Sequence, residues 1–344
     1  MKTVELGGAS KTTTTPLQVP LVTQALNGRQ GFVVHHDTSA HTTEGFGSHA
    51  RGSLFPLIHI GVRLGLIPLF DNTSLVRNRG RNYSAVGDVA GFLGFETRFD
   101  VGSLADSCQV VDINTWTDLQ IGSACGNASV LADMLAAYLE SIRNTSKKHL
   151  LVILYGSFKY MDASVHVYEW LCERTSTWRS NKSSHDLRVA VHIRVPEEWC
   201  HSSWKEANSV DKFVETLDAL FSIDPREFMG NSYLEVFTEE GFTSDNEQRL
   251  RIKFPHVVVH RGSSETIVSD LRSMACADIF VASSSHFSAF AGYLCGPDCL
   301  IILANEKENA YFEPHKKLGC RVFHRDHPQI NSAIKEIIRR RNER

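Results

Sequence analysis

Short apolar runs rich in Val, Ile and Leu alternate along this chain with longer stretches in which apolar residues recur every three or four positions. The first pattern predicts buried strands and the second amphipathic helices. In the first half, strands are expected at Gly31–His36, Ile67–Phe70, Cys108–Ile113 and His149–Tyr155. Helices are expected at Ser48–Gly65, Ala128–Arg143 and Ser164–Trp178. The polar stretch Thr175–Asp186 has no apolar period and reads as a linker. Beyond it, strands Leu187–Arg194, Tyr233–Phe237, His256–His260, Asp278–Ala282 and Cys299–Leu303 alternate with helices Val210–Phe221, Asp245–Phe254, Glu265–Ala277 and His286–Leu294. A last helix, Gln329–Arg344, carries Ile330, Ala333, Ile334, Ile337 and Ile338 on one stripe, and its Arg339–Arg341 end suits the helix dipole. Short apolar strands separated by helices imply parallel sheets covered on both faces. The expected class is therefore α/β, with two Rossmann-like domains facing a cleft. Residues 1–25 form a polar lead-in, 26–180 an acceptor-side domain, 181–328 a nucleotide domain, and 329–344 the closing helix.

Composition narrows the function classes. The 344 residues are 42% hydrophobic and 22% charged, with a formal charge of −3, which gives no global attraction to nucleic acid or an anionic membrane. No apolar run reaches the length of a membrane span. The N-terminus is polar and threonine-rich, without the apolar core of a signal peptide. Cys108, Cys125, Cys172, Cys200, Cys276, Cys295, Cys299 and Cys320 form no CxxC pair, and buried free thiols are the expected state. Five Asn-x-Ser/Thr sequons, at Asn72, Asn82, Asn127, Asn144 and Asn181, leave the compartment open between the cytoplasm and the secretory lumen.

The chemistry concentrates at strand ends. In Leu187–Arg194 the period of two puts His192 and Arg194 on one face, just before Pro196 ends the ladder. A cation at the carboxyl end of a strand sits where open α/β sheets bind ligands, although a surface salt bridge is the plainer use. A second strand runs into Thr238, Glu239 and Glu240, where a carboxylate can accept two hydrogen bonds from an edge such as guanine presents. A third ends in Ser283, Ser284 and Ser285 before His286 opens a helix, whose free amides and positive dipole end favour an anion. In the first half, Gly45, Gly47 and Ser48 lie in a loop between a strand and a helix, and these glycines permit close approach of backbone to a ligand. That loop is neither a dinucleotide fingerprint nor a P-loop.

Taken in order, Gly45-Phe-Gly47-Ser48, His192-Ile-Arg194, Thr238-Glu239-Glu240 and Ala282-Ser-Ser-Ser-His-Phe-Ser288 resemble the superfamily of α1,2- and α1,6-fucosyltransferases and protein O-fucosyltransferases. The resemblance runs from about residue 31 to about residue 305. It implies a GT-B fold and an inverting transfer of fucose from GDP-fucose to a glycan hydroxyl, with no metal and no cofactor beyond the nucleotide-sugar donor. Arg194 would clamp the diphosphate, His192 would lie beside the nucleotide, Glu239 would read the base, and Ser284 and Ser285 would hold phosphate. The chain departs from the family at His192-Ile-Arg-Val-Pro-Glu-Glu198, which lacks the usual glycine or threonine with its aspartate, and at Glu239, where the family has aspartate. Another donor such as UDP-xylose is therefore an alternative, as is a binding protein that has lost catalysis.

An inverting transfer needs a base for the acceptor hydroxyl. Glu197, Glu44 and Asp37, with His35 and His36 beside it, are the candidates. The acceptor itself would meet loops of the first domain, Asn72–Asp88 and Trp116–Asn127, where Arg79, Arg81, Tyr83 and Trp116 offer stacking and hydrogen bonding. A metal-dependent hydrolase is the rival enzyme reading, because His35, His36, Asp37, His41 and His49 crowd one loop, although their spacing matches no HExxH-type motif.

Overall fold

The computed structural model describes residues 31–36, 50–70, 76–78, 81–83, 91–93, 95, 101–114, 128–143, 149–155, 161–180, 186–195, 202–230, 232–239, 241–263, 266–304 and 309–343. They form an α/β molecule with two parallel sheets, as the alternating pattern predicts. The first sheet contains β1 (Gly31–His36), β2 (Ile67–Phe70), β5 (Gln109–Asn114) and β6 (Leu150–Tyr155) in the order β2-β1-β6-β5. A small hairpin, β3 (Val76–Asn78) and β4 (Arg81–Tyr83), stands apart from it. The helices of this half are α1 (Phe55–Leu64), α2 (Val101–Ser107), α3 (Ala128–Arg143) and α4 (Val165–Ser180), and a π-helical turn at Ala50–Leu54 leads into α1.

The second sheet has six strands: β7 (Leu187–Ile193), β8 (Ser232–Glu239), β9 (Val258–Gly262), β10 (Ile279–Ala282), β11 (Leu300–Leu303) and β12 (Arg321–His324). Its order is β12-β11-β10-β7-β8-β9, all parallel. The chain therefore winds outward from β7 to β9, then crosses back and winds the other way from β10 to β12. This is the doubly wound order, and the reversal falls between β7 and β10. Open α/β sheets bind ligands outside the carboxyl ends of the two strands that flank such a switch point.

Helices α5 (Ser202–Ala207), α6 (Val210–Phe221), α7 (Pro225–Gly230), α8 (Ser244–Lys253), α9 (Ile267–Ala275), α10 (His286–Leu294), α11 (Asn309–Lys317) and α12 (Ile330–Asn342) complete this half. Alternation along the strands sorts the residues by face. Val189, Val191, Val236, Val281 and Ile302 pack with Phe213 and Leu217 of α6, Leu250 of α8, and Ile334 and Ile337 of α12. Ala190, Phe237, Phe280, Ala282 and Ile301 face the other way, toward Leu271 of α9 and Phe290 of α10. Arg341, near the end of α12, is absorbed by Asp278 at the foot of β10 rather than left as a free basic tail.

The two halves share one core. Leu57 and Ile58 of α1, Leu135 of α3, Val167 and Leu171 of α4, and the inner face of α10 belong to the same buried cluster. Phe55 meets Phe290 with ring centroids 5.9 Å apart and Tyr293 at 5.5 Å. The polar stretch Thr175–Asp186, expected as a linker, is helical through Ser180. The reason lies in its side chains. Thr175 Oγ1 donates to Leu294 O at 3.2 Å, and Arg179 donates to Leu294 O at 2.8 Å and to Cys172 O at 3.0 Å. These polar residues thus satisfy the last carbonyl of α10, work that apolar periodicity does not register. Gly296 makes room for them: its φ is +74°, and a Cβ there would come within 2.8 Å of the Arg179 guanidinium carbon.

Other boundaries shift for local reasons. The helix expected from Ser48 is a π turn followed by α1, and residues 48–49 lie outside the described residues. The strand expected at His256–His260 forms two residues later, because Val257 N–H still closes a turn onto Phe254 O. Helix α11 and strand β12 were not expected, since Pro314 inside α11 reads as a breaker and β12 alternates Arg, Val, Phe and His with only one residue fully buried. Among the described residues Cys108, Cys172, Cys276, Cys295, Cys299 and Cys320 are free thiols, and no helix is long and apolar enough to cross a membrane.

Candidate functional site at the switch point of the second sheet

Strand register brings three of the sequence motifs to one edge. β7 pairs with β8 through Ile193↔Thr238, so Arg194 and Glu239 come level just beyond the ladder. β7 also pairs with β10 through Val281↔Val191, which brings the serine-rich end of β10 against His192. Neighbouring strands lie about 4.8 Å apart, so the His-x-Arg strand end, the glutamate turn and the serine-rich helix start lie side by side at the carboxyl edge of the sheet.

Arg194 forms an ion pair with Glu239. The sequence reading gave these two residues separate tasks, one on a diphosphate and one on a base. The structure joins them, because opposite charges at equal height on adjacent strands attract. Both remain partly open to solvent, at 26% and 38% exposure, so the guanidinium fork stands at the sheet edge rather than within the core. Thr238 is buried and donates its hydroxyl hydrogen bond to Ile193 O at 3.1 Å, which ties the end of β8 to β7.

His192 is buried deeper. Its Nδ1 lies 2.9 Å from Ser283 Oγ and 2.6 Å from Ser288 Oγ, and those two hydroxyls are 2.7 Å apart. Burial, with Arg194 adding repulsion, pushes its pKa down to about 3, so the ring stays neutral. The serines divide their work. Ser285 is the N-cap of α10, accepting from Ser288 N–H at 3.0 Å. Ser284 N–H donates to Asn208 Oδ1 at 3.2 Å, and Ser283 N–H donates to Ser288 Oγ at 3.2 Å. Ser283 and Ser288 thus lock His192 and the turn, while Arg194 stays partly exposed at the end of β7.

The first half reaches the start of α10 through Arg51 of the π turn Ala50–Leu54. Arg51 Nη1 donates to His286 Nδ1 at 2.7 Å, and Nη2 pairs with Asp162 just before α4. The His286 ring meets Tyr311 of α11 edge-on, centroids 5.0 Å apart. Burial and the adjacent guanidinium lower the His286 pKa to about 4. Sequence reasoning singled out His286 and quoted Ser288 in the same motif, but missed Arg51, Asp162 and Asn208. Arg51 stood inside a stretch already marked as informative; Asp162 and Asn208 gave no local signal, since only tertiary packing brings them here.

Glu197, Glu44, Asp37, Gly45, Gly47 and Ser48 lie outside the described residues, as do His41 and His49; of His35 and His36 only the backbone, at the end of β1, is described. Among the described residues, no group of three or more His, Cys, Asp or Glu side chains is placed to hold a metal ion.

No family model matches the chain, and no curated protein matches it. Among solved structures, POFUT1 in complex with GDP aligns with a TM-score of 0.45 at 12% identity, covering 87% of this chain and 99% of that one. POFUT1 in complex with GDP-fucose gives 0.44 at 12% identity, with the same coverage, and another crystal form of that complex gives 0.41 at 13% identity over 80% and 95%. Likeness of this degree assigns neither a substrate nor a role to any residue.

Proposed function

We propose that the chain is a GT-B-type glycosyltransferase that takes a nucleotide sugar, GDP-fucose in the first instance, at the switch-point crevice and inverts the sugar's anomeric centre on transfer to a glycan hydroxyl. One observation carries the reading. At the reversal between β7 and β10, the Arg194 guanidinium and the serine-capped start of α10 stand on adjacent strand ends. A guanidinium fork matches phosphate oxygens in two parallel hydrogen bonds, and a helix start adds aligned dipoles. The leaving nucleoside diphosphate develops negative charge as the glycosidic bond breaks, and these fixed positive groups meet that charge in the transition state. In this account the Arg194–Glu239 pair exchanges, with the diphosphate replacing the carboxylate on Arg194 and Glu239 turning to the base. The acceptor's proton passes to a base among Glu197, Glu44 and Asp37. The donor with a different base, such as UDP-xylose, is the second reading, favoured by glutamate standing at 239 where the resembled family has aspartate.

A thermal-shift panel of GDP, UDP, GDP-fucose and UDP-xylose tests the reading, because a ligand that binds only the folded state raises its stability. The expected result is a rise of several degrees with GDP and GDP-fucose at millimolar concentration and little with the uridine pair. A rise confined to UDP and UDP-xylose reassigns the donor. No shift with any of the four removes the nucleotide-sugar reading.

A further inference from the structure

Sulfur lines the contact between the two halves. Cys295, Cys299 and Cys320 belong to the buried cluster that the halves share, and the half-buried Cys172 packs against it. Cys295 Sγ donates to Ala291 O and to Met274 O, both at 3.3 Å, and Cys299 Sγ donates to Leu300 O at 3.7 Å. Cys172 and Cys320 are placed differently, for both thiols lie against the Tyr168 hydroxyl. Tyr168 is only 7% exposed, and its hydroxyl is buried without a well-formed hydrogen bond. That is a costly state for a polar group, and two sulfurs, weak donors and weak acceptors, relieve it little. Tyr168 and Cys172 stand one turn apart on α4 and share its face. Cys320 belongs to the second half, where its N–H closes α11 onto His315 O at 3.0 Å just before β12. Two thiols from opposite halves therefore meet at one hydroxyl.

We infer that Cys172 and Cys320 form a redox latch, a dithiol that closes to a disulfide across the two halves by exchange with a small-molecule disulfide such as glutathione disulfide. The inference is independent of the nucleotide-sugar reading. Cys172 is the attacking sulfur, because it is partly exposed and has a guanidinium beside it; Cys320, 6% exposed, is the resolving one. Burial raises the pKa of both thiols; the Tyr168 hydroxyl acts against it at each, and Arg179 does so at Cys172. The deprotonated Cys172 attacks one sulfur of the oxidant, whose S–S bond breaks and releases one glutathione thiolate. The deprotonated Cys320 then attacks the Cys172 sulfur of the mixed disulfide; the protein S–S bond forms and the second glutathione leaves. The two cysteine protons end on the two glutathione thiols, so two protein thiols are oxidised and one disulfide is reduced. Helix α4 also carries Thr175 and Arg179 onto Leu294 O, so the closed latch fixes the helix that holds the end of α10.

The test incubates the full chain with glutathione disulfide at pH 8 without denaturant, blocks the remaining thiols by alkylation, and maps the digest by mass spectrometry without reduction. The expected map contains a Cys172–Cys320 peptide pair that dithiothreitol removes. Closure should raise Tm by several degrees, because a cross-link between residues so far apart in sequence restricts the unfolded chain. Cys172→Ser, a change at a half-buried position, should keep the Tm of the reduced parent and show neither the link nor the rise. Cys320→Ala should lose the link as well, with Cys172 left carrying glutathione. In the parent, both thiols still open to alkylation, Cys172 holding glutathione alone, or Cys172 joined to any other cysteine would overturn the latch. A Tm that rises no more in the parent than in Cys172→Ser would overturn it too.

Discussion

Replacing Arg194 by alanine is expected to weaken GDP binding by about 10- to 100-fold, since each tenfold corresponds to about 1.4 kcal/mol and a hydrogen bond to a charged group contributes roughly 1.5–3 kcal/mol. Transfer should slow further, by about 100- to 1000-fold, because the charge on the leaving diphosphate is greatest in the transition state. Stability should barely change. The Arg194–Glu239 pair is partly solvated on both sides, and such pairs contribute at most about 1 kcal/mol. Arg194→Lys should recover little of the lost binding, because an ammonium offers a point charge where the diphosphate wants a planar fork. Guanosine, which has no phosphate, should bind parent and variant alike. Calorimetric titrations of GDP and guanosine into the three proteins check this. A variant that loses guanosine and GDP equally would place Arg194 at the base or the fold instead of the diphosphate.

The second large effect is acid unfolding. His192 and His315 are almost wholly buried and held down to about 3, and His59 to about 4, in each case first by burial. For His192 the Arg194 charge adds to this, and for His59 the nearby His166. Each folded-state pKa lies below the unfolded value near 6.5, so the unfolded chain binds more protons as the pH falls. Stability is therefore complete above about pH 6.5 and is lost between that value and the folded pKa. Between pH 6.5 and 4.5 each ring forfeits on the order of 2–3 kcal/mol, and three together approach the whole stability of an ordinary domain. We expect urea midpoints to be level from pH 8 to 7 and to fall steeply from pH 6 to 5, with unfolding complete near pH 4.5. His315 shows how built-in the effect is. Its Nε2 donates to Ala289 O at 2.9 Å, its ring stacks on Tyr293 at 3.6 Å, and a side chain at Gly292 would approach Nε2 to 3.0 Å. His315→Gln keeps a donor but cannot titrate, so it should flatten the slope by up to about 1.4 kcal/mol per pH unit. Stability unchanged from pH 7 to 5 would refute the assignment.

The first sheet and five strands of the second were legible in the sequence because their short runs are rich in β-branched residues or leucine, as at Leu187–Ile193 and Leu150–Tyr155; β12, with one buried residue in four, was not. The doubly wound order was only implied, since apolar runs do not state which strand lies beside which; the reversal between β7 and β10 emerges from pairing. At the site, the sequence reading named Arg194, Glu239 and the serine cap and placed them correctly at strand ends. It did not foresee that Arg194 and Glu239 would pair, because their 45 residues of separation vanish only in the sheet register. It gave His192 and Ser283 to the ligand, whereas the structure commits them to each other and to Ser288, two hydroxyls and a neutral ring satisfying buried polar groups that would otherwise be costly. Arg51 escaped notice for a simpler reason. A single arginine among glycines, serines and histidines carries no periodic signal, and its meaning comes from His286, 235 positions away.

The account turns on whether a diphosphate sits at the reversal of the second sheet, and a crystal structure of the chain soaked or co-crystallised with GDP decides it most directly. The expected density places the β-phosphate between the Arg194 guanidinium and the first turn of α10, with Arg194 released from Glu239. GDP ordered elsewhere, with Arg194 still paired to Glu239, contradicts it.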